Sequence, residues 1–196
     1  DPSSAAFFIA LASLAAEGEL TLTKVGVNPT RSGFLQAMKR MGADISESVA
    51  GRRGEESTAT LRVRPTELRG IRITEEEIPF LIDELPLIAC VAAGAGIDLE
   101  ITGAAELRVK ESDRINSVVQ NLQAVGAQAA ELPDGLRVWG PRRNLSGTID
   151  PRGDHRIAMA FGVLSAATGN GINIMNPECV AVSYPGFWQD LQRVVG

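Results

Sequence analysis

Residues 106 to 114 read E-L-R-V-K-E-S-D-R, which places Glu106, Arg108, Lys110, Glu111, Asp113 and Arg114 within nine positions and leaves only Leu107 and Val109 apolar. A charge run of this kind is ordinarily a solvated face. Two other places carry similar company: Asp83 beside Glu84, and Asp154 followed by His155 and Arg156. Arg156 leads into Ile157-Ala158-Met159-Ala160-Phe161, a buried helix by its pattern, where an unpaired guanidinium is costly and an anion is required. Guanidinium matches carboxylate or phosphate in a two-pronged fashion, whereas lysine acts as a compact point charge. Arg114, Arg156 and Lys110 with Asp83 and Glu111 therefore suit a multiply charged phosphorylated acid, with the carboxylates serving proton transfer. On spacing alone the same groups serve equally as structural ion pairs, and Asp83, Glu111 and Asp154 as helix caps.

One pattern occurs three times and supplies the elements that must position these groups: a wholly apolar helix, a glycine, a short strand, a loop, and an amphipathic helix ending at glycine. The copies are SSAAFFIALASLAAEG, ELTLTK and RSGFLQAMKRMG; DELPLIACVAAGAG, IDLEIT and ESDRINSVVQNLQAVG; DHRIAMAFGVLSAATGNG, INIM and PGFWQDLQRVVG. Gly18, Gly96 and Gly171 are expected to end the first helices and Gly42, Gly126 and Gly196 the second, as left-handed caps. Helices apolar all round are buried on every side, whereas Ile115, Val118, Val119, Leu122 and Val125 follow the spacing of a one-sided helix. Each copy thus has an inner and an outer helix. Strand pairs are expected after the first two copies, at 43 to 48 with 60 to 64, and at 127 to 132 with 136 to 139, the latter joined by the turn Pro133-Asp134-Gly135. The third copy has no such pair, and its strands are expected from sequence outside this chain. Between its marker glycines the second copy is longer than the others by about five or six residues, and the excess falls on A-A-E-L-R-V-K-E-S-D-R. An extended, charged connection between a strand end and a helix start is where sites sit on repeat scaffolds.

The chain has 196 residues, 44% of them hydrophobic, enough for one large core. A net charge of −5 gives no global field for nucleic acid or an anionic membrane. Two distant cysteines, Cys90 and Cys179, and the single His155 argue against a structural zinc site and fit a reducing cytosol. The apolar stretch from Ala5 to Ala16 is too short to span a membrane and lacks the basic flank of a signal peptide. The opening D-P-S-S reads as a helix cap with no strand before it, which raises the expectation of sequence upstream.

R-V-K-E-S-D-R at 108 to 114, D-H-R-I-A-M at 154 to 159, and the opening D-x-S-S-A with A-F-F resemble the 5-enolpyruvylshikimate-3-phosphate synthase (3-phosphoshikimate 1-carboxyvinyltransferase) family. D-E-L-P at 83 to 86 and S-Y-P-G-F at 183 to 187 fit it as well. The resemblance spans essentially the whole chain but only the C-terminal half of the family's length. It implies an α/β (α+β) fold: one enolpyruvyl transferase domain of three βαβαββ units, at about 1–73, 74–149 and 150–196, with buried inner helices and outer sheets, the third unit incomplete and the family's other domain absent. In the family the extreme N-terminus of the enzyme completes the last unit, and the N-terminal half supplies the other wall of the active site.

The implied reaction transfers the enolpyruvyl group of phosphoenolpyruvate to the 5-hydroxyl of shikimate 3-phosphate through a tetrahedral intermediate. It releases phosphate without metal or organic cofactor, on the route to chorismate and the aromatic amino acids in the cytoplasm. By motif, Asp83 resembles the proton acceptor that also touches shikimate 3-phosphate, Lys110 the residue that binds that substrate and shuttles a proton, and Glu111 the second acid/base carboxylate. Arg114 and Arg156 resemble the pair that grips phosphoenolpyruvate, with His155 beside them, and Asp113 is taken as structural. Where some members carry a lysine before the Ser/Thr-aromatic-Pro step, this chain has Val182. Two other readings remain: an enolpyruvyl transferase acting on UDP-N-acetylglucosamine, and a non-catalytic domain that binds an anion or assembles with a partner.

Overall fold

A computed structural model of the chain describes residues 1–28, 32–53, 56–141, 144–169 and 171–195. Three helices form the interior: α1 (Pro2–Leu14), α3 (Leu85–Ala95) and α5 (His155–Thr168). Every residue of α3 from Leu85 to Gly94 is buried, as its unbroken apolar sequence requires. The three pack on one another, and the contacts at their two ends set them in the same direction. Near their C-terminal ends they meet at Gly94, where an added Cβ would lie 2.9 Å from Leu164 and 3.3 Å from Leu14. At the N-terminal ends Ser3 of α1 shares a small hollow of about 110 Å³ with Asp83 and Glu84, just ahead of α3.

The outer helices α2 (Gly33–Arg40), α4 (Arg114–Ala124) and α6 (Phe187–Val195) bury one side each. Three open sheets complete the layers. The first, β1 (Leu20–Gly26), β3 (Glu56–Arg64) and β2 (Asp44–Arg53), is antiparallel in that order. The second runs β4 (Ile71–Ile73), β5 (Leu99–Ile101), β7 (Gly135–Trp139), β6 (Gln128–Leu132), with β4 parallel to β5 and the rest antiparallel. Its register aligns Ile73, Ile101 and Leu136 in one buried row and Leu99 with Val138 in another, while Arg72, Glu100 and Arg137 share the opposite face. The period of two thus separates core from surface. In the third sheet β8 (Gly147–Ile149) runs parallel to β9 (Ile172–Ile174).

The middle repeat therefore reads β4-α3-β5-α4-β6-β7. The leading strands β4 and β8 have no counterpart in the sequence pattern, and both join the sheet of the repeat that follows them. Each is three residues long, too short to show a period. Two expected caps also differ. α1 stops at Leu14 with Ala15 extended, four residues before Gly18, and α5 is capped by left-handed Gly169 rather than Gly171. Gly96 caps α3 as expected, and Gly196 lies outside the described residues.

Candidate active site

The unit of structure beneath the site is the start of an inner helix. Asp1 caps α1, accepting from the Ser4 N–H at 3.1 Å, and Asp154 caps α5, accepting from the Arg156 N–H at 2.9 Å. α3 is preceded by a 3-10 turn, Ile82–Glu84, which carries Asp83. With the three N-termini at one end, their unpaired N–H groups and aligned dipoles make that end favourable to negative charge.

The long connection of the second repeat crosses this end. Its residues Ala105–Val109 form a 3-10 helix rather than an extended stretch, and Asp113 caps α4 by accepting from the Asn116 N–H at 3.0 Å. Arg114 then enters the interior with 1% of its side chain exposed. Its Nε donates to Asp154 Oδ2 at 2.8 Å, its Nη1 to Asp83 Oδ1 at 2.9 Å and its Nη2 to Glu111 Oε2 at 2.6 Å. One guanidinium thus joins three carboxylates from three segments. Asp154 is wholly buried and also accepts from Ser112 Oγ at 3.1 Å, so its charge is compensated on every side.

Asp83 and Glu111 do not cap helices: both point to Arg114 and keep 42% and 51% of their side chains exposed. Lys110 Nζ stands 4.0 Å from Asp83 Oδ1 and 3.2 Å from Glu106. Partial burial pushes the Asp83 carboxyl up, but the Arg114 hydrogen bond and the charges of Arg156, Arg114 and Lys110 outweigh it and leave its pKa below the usual carboxylate value. Burial lowers the His155 pKa, helped by the Arg156 charge, so the ring is neutral at pH 7.

Both arginines meet anions, and the fully buried one is Arg114 rather than Arg156, which the sequence places at the head of a buried helix. Arg156 retains 18% exposure and meets Glu84 at 3.6 Å, because the first turn of α5 still faces outward. All six residues singled out from the sequence, Asp83, Lys110, Glu111, Arg114, His155 and Arg156, belong to this end of the molecule, linked by contact or charge. Two participants were not assigned to the site. Asp154 was legible only as a cap, since its partner Arg114 is forty positions away. Arg108, to which the sequence assigns no role, grips the β6–β7 hairpin: Nη2 donates to the Leu132 carbonyl at 2.9 Å, and Nη1 to Asp113 at 2.9 Å and Glu131 at 3.0 Å.

Among the described residues no helix is long and apolar enough to cross a membrane. The family model for EPSP synthase (3-phosphoshikimate 1-carboxyvinyltransferase) matches residues 1–191. The chain is 47% identical over 196 residues to a 3-phosphoshikimate 1-carboxyvinyltransferase of Aquifex aeolicus and 48% identical over 194 residues to one of Desulfitobacterium hafniense, covering 46% and 45% of their lengths. An EPSP synthase structure from Acinetobacter baumannii superposes with a TM-score of 0.92 at 37% identity over 99% of this chain and 45% of that one. The enolpyruvyl transferase NikO from Streptomyces tendae, at 22% identity and a TM-score of 0.70, shares the fold. The chain spans less than half the length of these relatives, and over that span the same words that surround Arg114 and Asp154 fall within the match. This chain belongs to the EPSP synthase family.

Proposed function

We propose that the chain supplies one wall of the active site of a 3-phosphoshikimate 1-carboxyvinyltransferase, and that the N-terminal half of the same enzyme supplies the other. The observation that carries this reading is the convergence of Asp83, Glu111 and Asp154 on the buried Arg114, with Lys110 and Arg156 close by, at the N-terminal ends of the inner helices. Asp83, held ionised, is ready to accept the proton of the 5-hydroxyl of shikimate 3-phosphate. Lys110 binds that substrate from beside Asp83 and relays a proton, and Glu111 serves as the second acid/base group, protonating the methylene carbon of phosphoenolpyruvate. Arg156 and Arg114 hold phosphoenolpyruvate, with the neutral ring of His155 as a hydrogen-bonding neighbour. Since the directions of Arg114 are taken by three acids, it meets that substrate as Glu111, the most exposed of them, gives way. No metal or organic cofactor takes part, and the enzyme works in the cytoplasm. Val182, 85% exposed, offers no charge where some members carry lysine: either a neighbour substitutes for that charge or phosphoenolpyruvate is held with one cation fewer.

The test is complementation. The chain alone gives no turnover, and adding the N-terminal half restores phosphate release from phosphoenolpyruvate only when shikimate 3-phosphate is present. Restoration by UDP-N-acetylglucosamine instead overturns the assignment. In the assembled enzyme Arg156→Ala weakens phosphoenolpyruvate far more than shikimate 3-phosphate, and an equal loss for both would make that arginine structural.

A further inference from the structure

Lys110 and Glu111 ride on a connection whose buried apolar side chains are Ala104 and Leu107, while Val109 is 80% exposed. Apolar packing at one end cannot fix the height or orientation of two polar side chains at the other. The fixing groups are polar: Arg114 and Asp154 hold Glu111 and Ser112 from the interior, and the rest of the connection is held by the tip of the β6–β7 hairpin. At the start of the connection the Gly103 N–H donates to Asp134 Oδ2 at 2.8 Å and the Ala104 N–H to the Asp134 carbonyl at 2.6 Å. At its middle Arg108 donates to the carbonyls of Leu132 at 2.9 Å and Pro133 at 3.3 Å. At its end Asp113 accepts from the same guanidinium while capping α4, and Glu131 joins it from β6. The hairpin tip itself packs closely against β5, where Gly135 lies so near the Ile101 carbonyl that an added Cβ would sit 1.8 Å from it.

We propose that Arg108 is a positioning residue for the proposed reaction: by tying the connection to the hairpin tip it sets Lys110 and Glu111 against Asp83. This rests on the functional reading above and adds a residue that touches neither substrate. Misplacement by about 1 Å is enough to cost a large factor in rate when the groups concerned transfer protons. Arg156 and His155 stand on α5, which accepts one bond from the connection, Ser112 to Asp154, and whose cap Asp154 is held independently by the buried Arg114. The effect is therefore selective for the shikimate 3-phosphate side of the site.

The experiment compares Arg108→Ala and Arg108→Lys with the unmodified chain, each assembled with the N-terminal half. For Arg108→Ala, kcat is expected to fall about 10- to 100-fold, with a raised KM for shikimate 3-phosphate and a KM for phosphoenolpyruvate within about threefold of its starting value; Arg108→Lys, which keeps the charge and a donor, is intermediate. Amide exchange without substrates is expected to quicken across residues 104–112 and to stay unchanged in α3 and α5. Equal rises in both KM values, unchanged kcat, or unchanged exchange over 104–112 overturns the proposal. Should Arg108→Ala fail to fold, Asp134→Ala, which removes the Gly103 tether alone, must shift exchange and the two KM values in the same sense. If the unmodified assembly transfers no enolpyruvyl group, the functional reading fails by that result, and the exchange measurement still judges the clamp.

Discussion

Arg108 and Arg114 stand six residues apart in one segment, carry the same side chain, and do opposite work. Arg114 is buried and binds three carboxylates; Arg108, with 29% of its side chain exposed, binds two main-chain carbonyls and two surface acids. The difference teaches that charge count alone does not locate a site. The arginine whose partners are carboxylates ties three segments together at one end of the inner helices, and the one whose partners are a neighbouring backbone fixes a loop. Desolvation sets the stakes: an ion removed from water must keep all its partners, whereas an ion at the rim can exchange a lost one for solvent.

The largest expected effect therefore belongs to Arg114→Met. It leaves Asp154 buried without its cation and should cost about 3–5 kcal/mol of stability, read from the midpoint of urea unfolding. Adding Asp154→Leu should recover much of that loss, and strict additivity of the two would break the account of a coupled pair. Next comes Gly135→Ala, whose Cβ would meet the Ile101 carbonyl at 1.8 Å and force β7 from β5. About 1–3 kcal/mol is expected, with faster exchange in the hairpin and in residues 103–108 but not at the start of α5.

Arg108→Ala should cost no more than about 1 kcal/mol, as for a rim-exposed ion pair. A loss as large as that for Arg114→Met would abolish the distinction between the two arginines. The smallest effects are those of pH. His155 has a lowered folded pKa, so the unfolded chain binds its proton first, and stability falls as pH drops below about 6.5. His155→Asn should flatten that part of the profile. Asp83, also lowered, contributes stability that is present above about pH 4 and lost as pH falls through its folded value, and Asp83→Asn should flatten that lower part instead.

The inner helices were legible because nothing but burial on all sides explains sequences such as Leu85-Pro86-Leu87-Ile88-Ala89-Cys90-Val91-Ala92-Ala93-Gly94-Ala95, and α3 begins and ends where that run does. The hairpin at Pro133-Asp134 was legible because its turn residues are local chemistry. β4 and β8 were not, since a parallel strand of three residues exists only by virtue of the partner it meets. In the site, the residue types of Asp83, Glu111 and Arg114 were readable, while their mutual bonds span up to thirty-one positions and depend on the helices arriving side by side. Arg108 was the hardest to read. Half its partners are carbonyl oxygens, which every residue possesses and no sequence advertises.

The parallel arrangement of α1, α3 and α5 has a combinatorial consequence. Each repeat delivers one helix start to the same end, and those starts are occupied by Asp1, Glu84 and Asp154. Lengthening the connection in one repeat alters what is suspended above that floor without moving the floor itself. Such a scaffold lets one copy of a duplicated unit specialise while its sisters continue to hold the molecule together.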